Sequence, residues 1–286
     1  MTQSFWQPGA EPLTDFDAAY ANSAAIVGSQ SYPPRWAAAA AAFREHLASA
    51  GRARLDRVYG QAPRNLYDLF LPDTAPIGLI VFVHGGYWKA FDKSVWSHLA
   101  EGALQRGHAV AMPSYTLCPD ATIGAITREI GAFLDHVAGE IPGPIRLCGH
   151  SAGGHLVSRM LCIDAPIARA TADRIDRTVS ISGVHDLRPL LAAGMNDILQ
   201  LDLAEARAES PALLEPRANI DITCLVGRAE LDEFRRQNAL LANVWHGFGV
   251  RTRAVERPGQ HHFDVIDELG DPASELVAIL TGAPNS

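Results

Sequence analysis

Gly149-His-Ser-Ala-Gly153, followed by Gly154, has the G-x-S-x-G spacing of a nucleophile elbow. A serine on a sharp strand-to-helix turn stands clear of its sheet, and the flanking glycines let neighbouring backbones approach closely. Ser151 is therefore the candidate nucleophile for acyl transfer. A hydroxyl is weak until a base accepts its proton, and the reaction places negative charge on a carbonyl oxygen. His84-Gly-Gly-Tyr-Trp88 offers backbone donors for that charge: the amides of Gly86 and Tyr87, with Gly85 shaping the turn, would join the N–H of Ala152. Of eleven histidines, the chain order serine, acid, histidine of elbow enzymes leaves Gln260-His-His-Phe-Asp264, so the base is His261 or His262. His84 reads as an organiser of its own loop, His155 as a packing residue one turn past Ser151, and His246 falls inside a helical pattern. Gly227-Arg-Ala-Glu-Leu-Asp-Glu233 supplies the acid that fixes the imidazole tautomer. Glu230 is its first choice and Asp232 its second, while Glu233 suits the first turn of the next helix. Asp186, leaving an earlier strand, is a third option.

These residues need a scaffold that brings distant loops together. From about residue 57 short β patterns alternate with helical ones. Strands are expected at Leu66–Leu71, Leu79–Val83, Ala109–Met112, Ile145–Cys148, Thr178–Ile181, Ile222–Val226 and Arg251–Val255. Helices are expected at Ser94–Gln105, Ile123–Val137, Gly153–Leu161, Glu233–Trp245 and Ala273–Leu280. Such alternation implies a mostly parallel sheet with helices on both faces, and ligands bind beyond the carboxyl ends of such strands. Each candidate segment follows one of these strands. The alanine run Ala37–Ala42 after Pro33-Pro34 predicts a helix ending near Gly51. Ahead of it the chain reads as an arm with little regular structure. Residues 184–217 are long for a plain connection and are expected to form short helices as a cap, with Met195 and Asn196 facing the substrate. The 286 residues thus read as one domain, with residues 1–55 as an N-terminal addition.

Composition narrows the partners. Hydrophobic residues make up 48 % and charged ones 20 %, enough to bury a core and to exclude disorder. A formal charge of −8 with no basic cluster argues against nucleic acid, and no apolar run reaches the ~20 residues of a membrane span. Four scattered cysteines lack zinc-site spacing, and no Walker loop, dinucleotide fingerprint or H-E-x-x-H pair is present. No metal and no cofactor is expected. The N-terminus lacks a signal-peptide pattern, so the cytoplasm is the expected location. A homodimer is compatible with this composition.

The chain resembles an α/β-hydrolase of the esterase/lipase superfamily and, more narrowly, the kynurenine formamidase (arylformamidase) family. The narrower resemblance rests on His84-Gly-Gly-Tyr-Trp88, Gly149-His-Ser-Ala-Gly-Gly154, Glu230-Leu-Asp-Glu-Phe-Arg-Arg-Gln237, His262-Phe263 and the early Asp17-Ala-Ala-Tyr20. It covers most of the chain from roughly residue 15. The resemblance implies Ser151 as nucleophile, His262 as base and position 230 as acid, where Glu stands in place of the more usual Asp. Hormone-sensitive-lipase-like esterases are similar through Tyr115-Thr-Leu-Cys-Pro119, but they carry a third glycine where this chain has Tyr87 and an Asp where it has His150. The implied reaction is hydrolysis of an aryl formamide, such as N-formylkynurenine, to the amine and formate. Trp88, Tyr87, Tyr115 and Phe263 would then wall the aromatic leaving group. The alternatives are a broad carboxylesterase for small acyl esters and, from another class, a non-catalytic binding protein that has kept a hydrolase pocket.

Overall fold

The computed structural model describes residues 9 and 11–282. Eight strands form one sheet: β1 Ala53–Val58, β2 Leu66–Phe70, β3 Leu79–Val83, β4 Ala109–Pro113, β5 Ile145–His150, β6 Ile175–Ile181, β7 Asp221–Gly227 and β8 Arg251–Arg257. Their spatial order is β1-β2-β4-β3-β5-β6-β7-β8. The β1–β2 and β2–β4 pairs are antiparallel and all later pairs parallel. The central strands are apolar on both sides because both faces are covered. Within β3, Leu79, Val81 and Val83 join one core cluster, while Ile80 and Phe82 join the other. That alternation is the two-residue period of a strand.

Helices Ile123–Ala138, Ala152–Arg159 and Asp232–His246 cover the first face. Helices Tyr32–Ser49 and Glu275–Thr281 cover the second. Each ends where local chemistry requires. The Thr122 hydroxyl accepts from the Ala125 amide, and the helix from Tyr32 starts on a proline pair and stops before Gly51 at φ +70°. Residues 184–217 form four short helical turns, and Val184, Leu187, Leu190 and Leu199 bury their side chains in the first core cluster.

Three expectations differ from the structure. Strand β1 is absent from the sequence reading because an edge strand of mostly exposed, charged residues carries no period-two signal, and a bulge at Asp56 (φ +53°) interrupts its pairing. The helix expected over Ser94–Gln105 is instead two 3₁₀ turns, Lys93–Val95 and Ser97–Ala100, before a short helix, Glu101–Gln105. Trp96, with φ −117°, breaks the run and packs its ring 4.8 Å from that of Trp36. The arm is also more ordered than expected. Asp15 caps the helix Phe16–Tyr20, a second turn spans Asn22–Ala25, and Tyr20 and Asn22 are buried.

Candidate active site

Ser151 follows β5 with φ +56° and ψ −117°, a left-handed backbone that costs a non-glycine residue of order 1–3 kcal/mol. The surrounding structure holds it there. Its amide donates to the Ile181 carbonyl at 2.8 Å, and the glycines on either side have no room for a side chain. A Cβ on Gly149 would lie 2.2 Å from the Gly153 carbonyl oxygen, and one on Gly153 would lie 1.9 Å from that of Val83. The elbow is thus a three-way crossing of β3, β5 and the helix that follows. Ala152 opens that helix, so its N–H lacks an intrahelical partner.

The candidate base and acid come from the loops after β8 and β7. His262 Nδ1 donates to Glu230 Oε2 at 2.6 Å, with both side chains buried. The other oxygen, Oε1, accepts from the Ser182 hydroxyl at 2.6 Å and from the Gly227 amide at 2.7 Å. Three donors hold one carboxylate, so its orientation and that of the imidazole are fixed. With the proton on Nδ1, Nε2 carries the lone pair a general base needs.

The other acids have different engagements. Asp232 is 82 % exposed and pairs with Arg235, and Glu233 pairs with Arg236. Asp186 is buried, yet the Arg188 guanidinium and amide hold its carboxyl below the usual range. His261 turns away from the elbow and donates through Nε2 to the Tyr32 hydroxyl at 3.1 Å, its Nδ1 accepting from the amides of Phe263 and Asp264.

Two more histidines frame the site. His150 donates from Nε2 to the His262 carbonyl at 2.9 Å, which ties the elbow to the base loop. Burial, reinforced by the neighbouring His262, keeps His150 neutral by pushing its pKa well below the ordinary value. His84 Nδ1 donates to the Gly85 carbonyl at 2.7 Å, its ring stacks on Tyr115 at 4.4 Å, and burial lowers its pKa to about 4. It therefore organises the loop as a neutral ring.

That loop lies against the serine. A Cβ on Gly85 would come 3.0 Å from Ser151 Cβ, and the backbone then turns through positive φ at Gly86 (+113°), Tyr87 (+49°) and Trp88 (+54°). Neither the Gly86 nor the Tyr87 amide has an acceptor among the described residues. Together with the Ala152 N–H they are open donors on the two segments that meet where Gly85 packs on Ser151.

A cavity of about 290 Å³ opens beside Gly86 and His150. Trp36, Phe91, Trp96 and Phe263 give it an aromatic wall, and Ser23, Ser29, Gln30 and Pro33 of the N-terminal arm complete its lining. Phe263 is on this wall. Trp88 and Tyr115 are not: both are fully buried, Trp88 edge-on to His155 and Tyr115 donating to the His84 carbonyl. Asn196 closes its own turn through Leu201, and Met195 packs against the core. Sequence reasoning missed Ser182, Phe234, whose ring lies 4.5 Å from that of His262, and the wall residues Trp36, Phe91 and Trp96. For Ser182 a signal existed, because it follows β6 as the acid loop follows β7.

Fold and site define a class, and the chain belongs to the alpha/beta hydrolase family, whose sequence model matches residues 80–281. Its similarities are more particular. Kynurenine formamidase of Drosophila melanogaster is 30 % identical over 239 residues, 78 % of each chain. Kynurenine formamidase of Danio rerio is 27 % identical over 82 % of this chain and 83 % of its own. A crystal structure described as a thioesterase, from Silicibacter sp. TM1040, superimposes with a TM-score of 0.87 at 50 % identity, over 93 % of this chain and 98 % of that one. An esterase of Pyrobaculum calidifontis shares the fold at 16 % identity, with a TM-score of 0.68 over 89 % of this chain and 93 % of its own. The protein is a hydrolase.

Proposed function

We propose that the protein hydrolyses an aryl formamide, of which N-formylkynurenine is the type, through a formyl-enzyme on Ser151. The observation that carries the mechanism is the buried Glu230–His262 pair, set so that imidazole Nε2 is unprotonated. Ser151 Oγ attacks the formyl carbon as His262 Nε2 takes its proton. The carbonyl oxygen becomes an oxyanion facing the amides of Gly86, Tyr87 and Ala152, where one such donor contributes about 2.7–4 kcal/mol in the transition state. Glu230 stabilises the imidazolium, which gives its proton to the leaving aniline nitrogen as the C–N bond breaks. Water, deprotonated by the same imidazole, then attacks the formyl ester, and the imidazolium returns the proton to Ser151 Oγ as formate leaves. Formyl is the smallest acyl group and needs little space of its own, so the 290 Å³ aromatic cavity is assigned to the aryl leaving group. Residues 184–217 would act as the cap, tied to the arm by the Gly194 amide on Asp17. No helix among the described residues is long and apolar enough to cross a membrane. All four cysteines are free and buried, which suits a reducing compartment, and the cytoplasm is the proposed location.

The thioesterase description of the Silicibacter protein favours a second reading, cleavage of a small acyl thioester or ester by the same residues. The test is kcat/KM on N-formylkynurenine beside an acyl thioester and p-nitrophenyl acetate, with Ser151→Ala as the blank. Formamide turnover well above the blank is expected. A formamide rate at the blank beside fast ester or thioester cleavage would replace the first reading by the second.

A further inference from the structure

The Asp17-Ala-Ala-Tyr20 motif touches none of the reacting atoms, yet its residues are tied down on several sides. Asp17 Oδ1 accepts from the Gly194 amide at 2.6 Å. The buried Tyr20 hydroxyl donates to Glu233 Oε1 at 2.7 Å, one turn beyond the acid loop, and its ring stands edge-on to Phe234 at 6.0 Å. Phe234 in turn lies against His262. The remaining links run to the loop after β3. The Tyr87 hydroxyl donates to the Tyr20 carbonyl at 2.6 Å and accepts from Asn22 Nδ2 at 3.0 Å. Both hydrogen-bonding roles of that hydroxyl are thus used, and both partners belong to the arm.

Tyr87 needs such a hold. It and Trp88 are consecutive non-glycine residues at positive φ, a backbone that relaxes unless surrounding contacts over-determine it. Trp88 is held by its buried ring and by its carbonyl, which accepts from the Cys118 amide at 2.8 Å. Tyr87 is only partly buried, and the hydrogen bonds of its side chain all go to Tyr20 and Asn22. Its own N–H has no acceptor among the described residues and is one of the donors read above as the oxyanion hole, so the direction of that N–H depends on where the ring is moored.

We propose that the Tyr20–Asn22 segment is a clasp that aims the oxyanion loop, with Asn22 and Tyr20 acting as positioning residues through the Tyr87 hydroxyl. The proposal rests on the reading of the Gly86 and Tyr87 amides as the oxyanion hole. It gives the early motif a mechanical role: the arm closes onto the loop whose donors meet the developing charge.

Tyr87→Phe removes both hydrogen bonds and keeps the ring and the N–H, Asn22→Ala removes one, and the double variant combines them. Three quantities are read for each: kcat per active site titrated with a phosphonate, KM, and Ki for an aryl boronic acid that mimics the tetrahedral state. Each single variant should lose kcat roughly ten- to hundredfold, because small misplacement of a transition-state donor has that scale. KM should move by less than about threefold, and boronate Ki should rise by the factor lost in kcat/KM. The double variant should be no worse than Tyr87→Phe, since both changes break one linkage. Should Tyr87→Phe not fold, Asn22→Ala carries the same readouts. A clasp that only stabilised the fold would lower Tm and the titrated fraction while leaving kcat per site and boronate Ki at wild-type values, which would overturn the proposal. Losses that multiply in the double variant would also overturn it. Failure of the underlying serine-hydrolase reading looks different: activity would survive Ser151→Ala, and the wild type would not bind the boronate.

Discussion

Replacing Glu230 by glutamine is the sharpest perturbation of the site, because it changes one atom of a buried group that has three donors around it. Oε1 accepts from the Ser182 hydroxyl and the Gly227 amide, and Oε2 accepts from His262 Nδ1. An amide has one oxygen to meet these donors. Turned toward Ser182 and Gly227, it presents NH₂ to His262, which must then carry its proton on Nε2 and has no lone pair for the serine. Turned the other way, its NH₂ meets the Gly227 N–H, a donor that cannot accept, and only the Ser182 hydroxyl can rotate to accept from it. The first orientation satisfies more partners, so the variant should fold with the wrong imidazole tautomer. The charge that stabilises the imidazolium is lost as well. A wrong tautomer of this kind costs about ten-thousandfold in kcat, or roughly 5 kcal/mol of transition-state stabilisation. The assay is p-nitrophenyl acetate hydrolysis normalised to phosphonate-titratable sites, with thermal melts to show that the fold is retained. Asp232→Asn is the matched control. That side chain lies in solvent against Arg235, and its loss should leave kcat within about threefold of wild type. A Glu230→Gln enzyme within tenfold of wild type, or an Asp232→Asn enzyme down by orders of magnitude, would refute the assignment.

Ser182→Ala removes one hydrogen bond to the buried carboxylate and should cost about tenfold in kcat, the scale of a hydrogen bond to a charged group; wild-type turnover would show that the Gly227 amide suffices. Gly153→Ala should abolish folding or activity, because its Cβ would sit 1.9 Å from a backbone oxygen, and a soluble, active variant in an expression and activity screen would contradict the packing described at the elbow. Acid should destabilise the fold early. His84 and His155 are held near pKa 4 and His185 near 3, first of all by burial, whereas an unfolded histidine titrates near 6.5. The unfolded chain therefore binds more protons as pH falls from about 6.5 toward 4, and stability declines across that window by a few kcal/mol per ring. Tm measured against pH should drop there and be insensitive to these rings above 6.5; a flat profile between 6.5 and 4 would refute it.

Much of the architecture is legible because its signals are local. The run Leu79–Val83 is apolar throughout, and it is a strand with those bounds because it is buried on both faces. The serine motif carries its own explanation in the glycines, whose necessity appears as backbone approaches under 3 Å. The two leading acid candidates, Glu230 and Asp232, lie within one loop, and only three-dimensional placement separates a carboxylate with three donors from one in solvent. Residues fixed by tertiary contact alone were not legible. The aromatic wall draws Trp36 from the arm's helix and Trp96 from the bend between two 3₁₀ turns, which no spacing in the chain connects. Trp88 and Tyr115 looked like pocket residues by proximity to the motifs, but the Trp88 ring is directed by positive-φ backbone that residue type does not reveal, and that of Tyr115 by its stacking on His84 and its bond to the His84 carbonyl. Strand β1 was hidden by its exposure.

The central claim is a covalent acyl-enzyme on Ser151 driven by His262. Intact and peptide mass spectrometry after treatment with a fluorophosphonate tests it most directly. One phosphonyl group per chain is expected, on the peptide holding Ser151, with labelling lost in Ser151→Ala and slowed by orders of magnitude in His262→Ala. Stoichiometric labelling of another residue, or full activity in an enzyme labelled nowhere, would contradict the account.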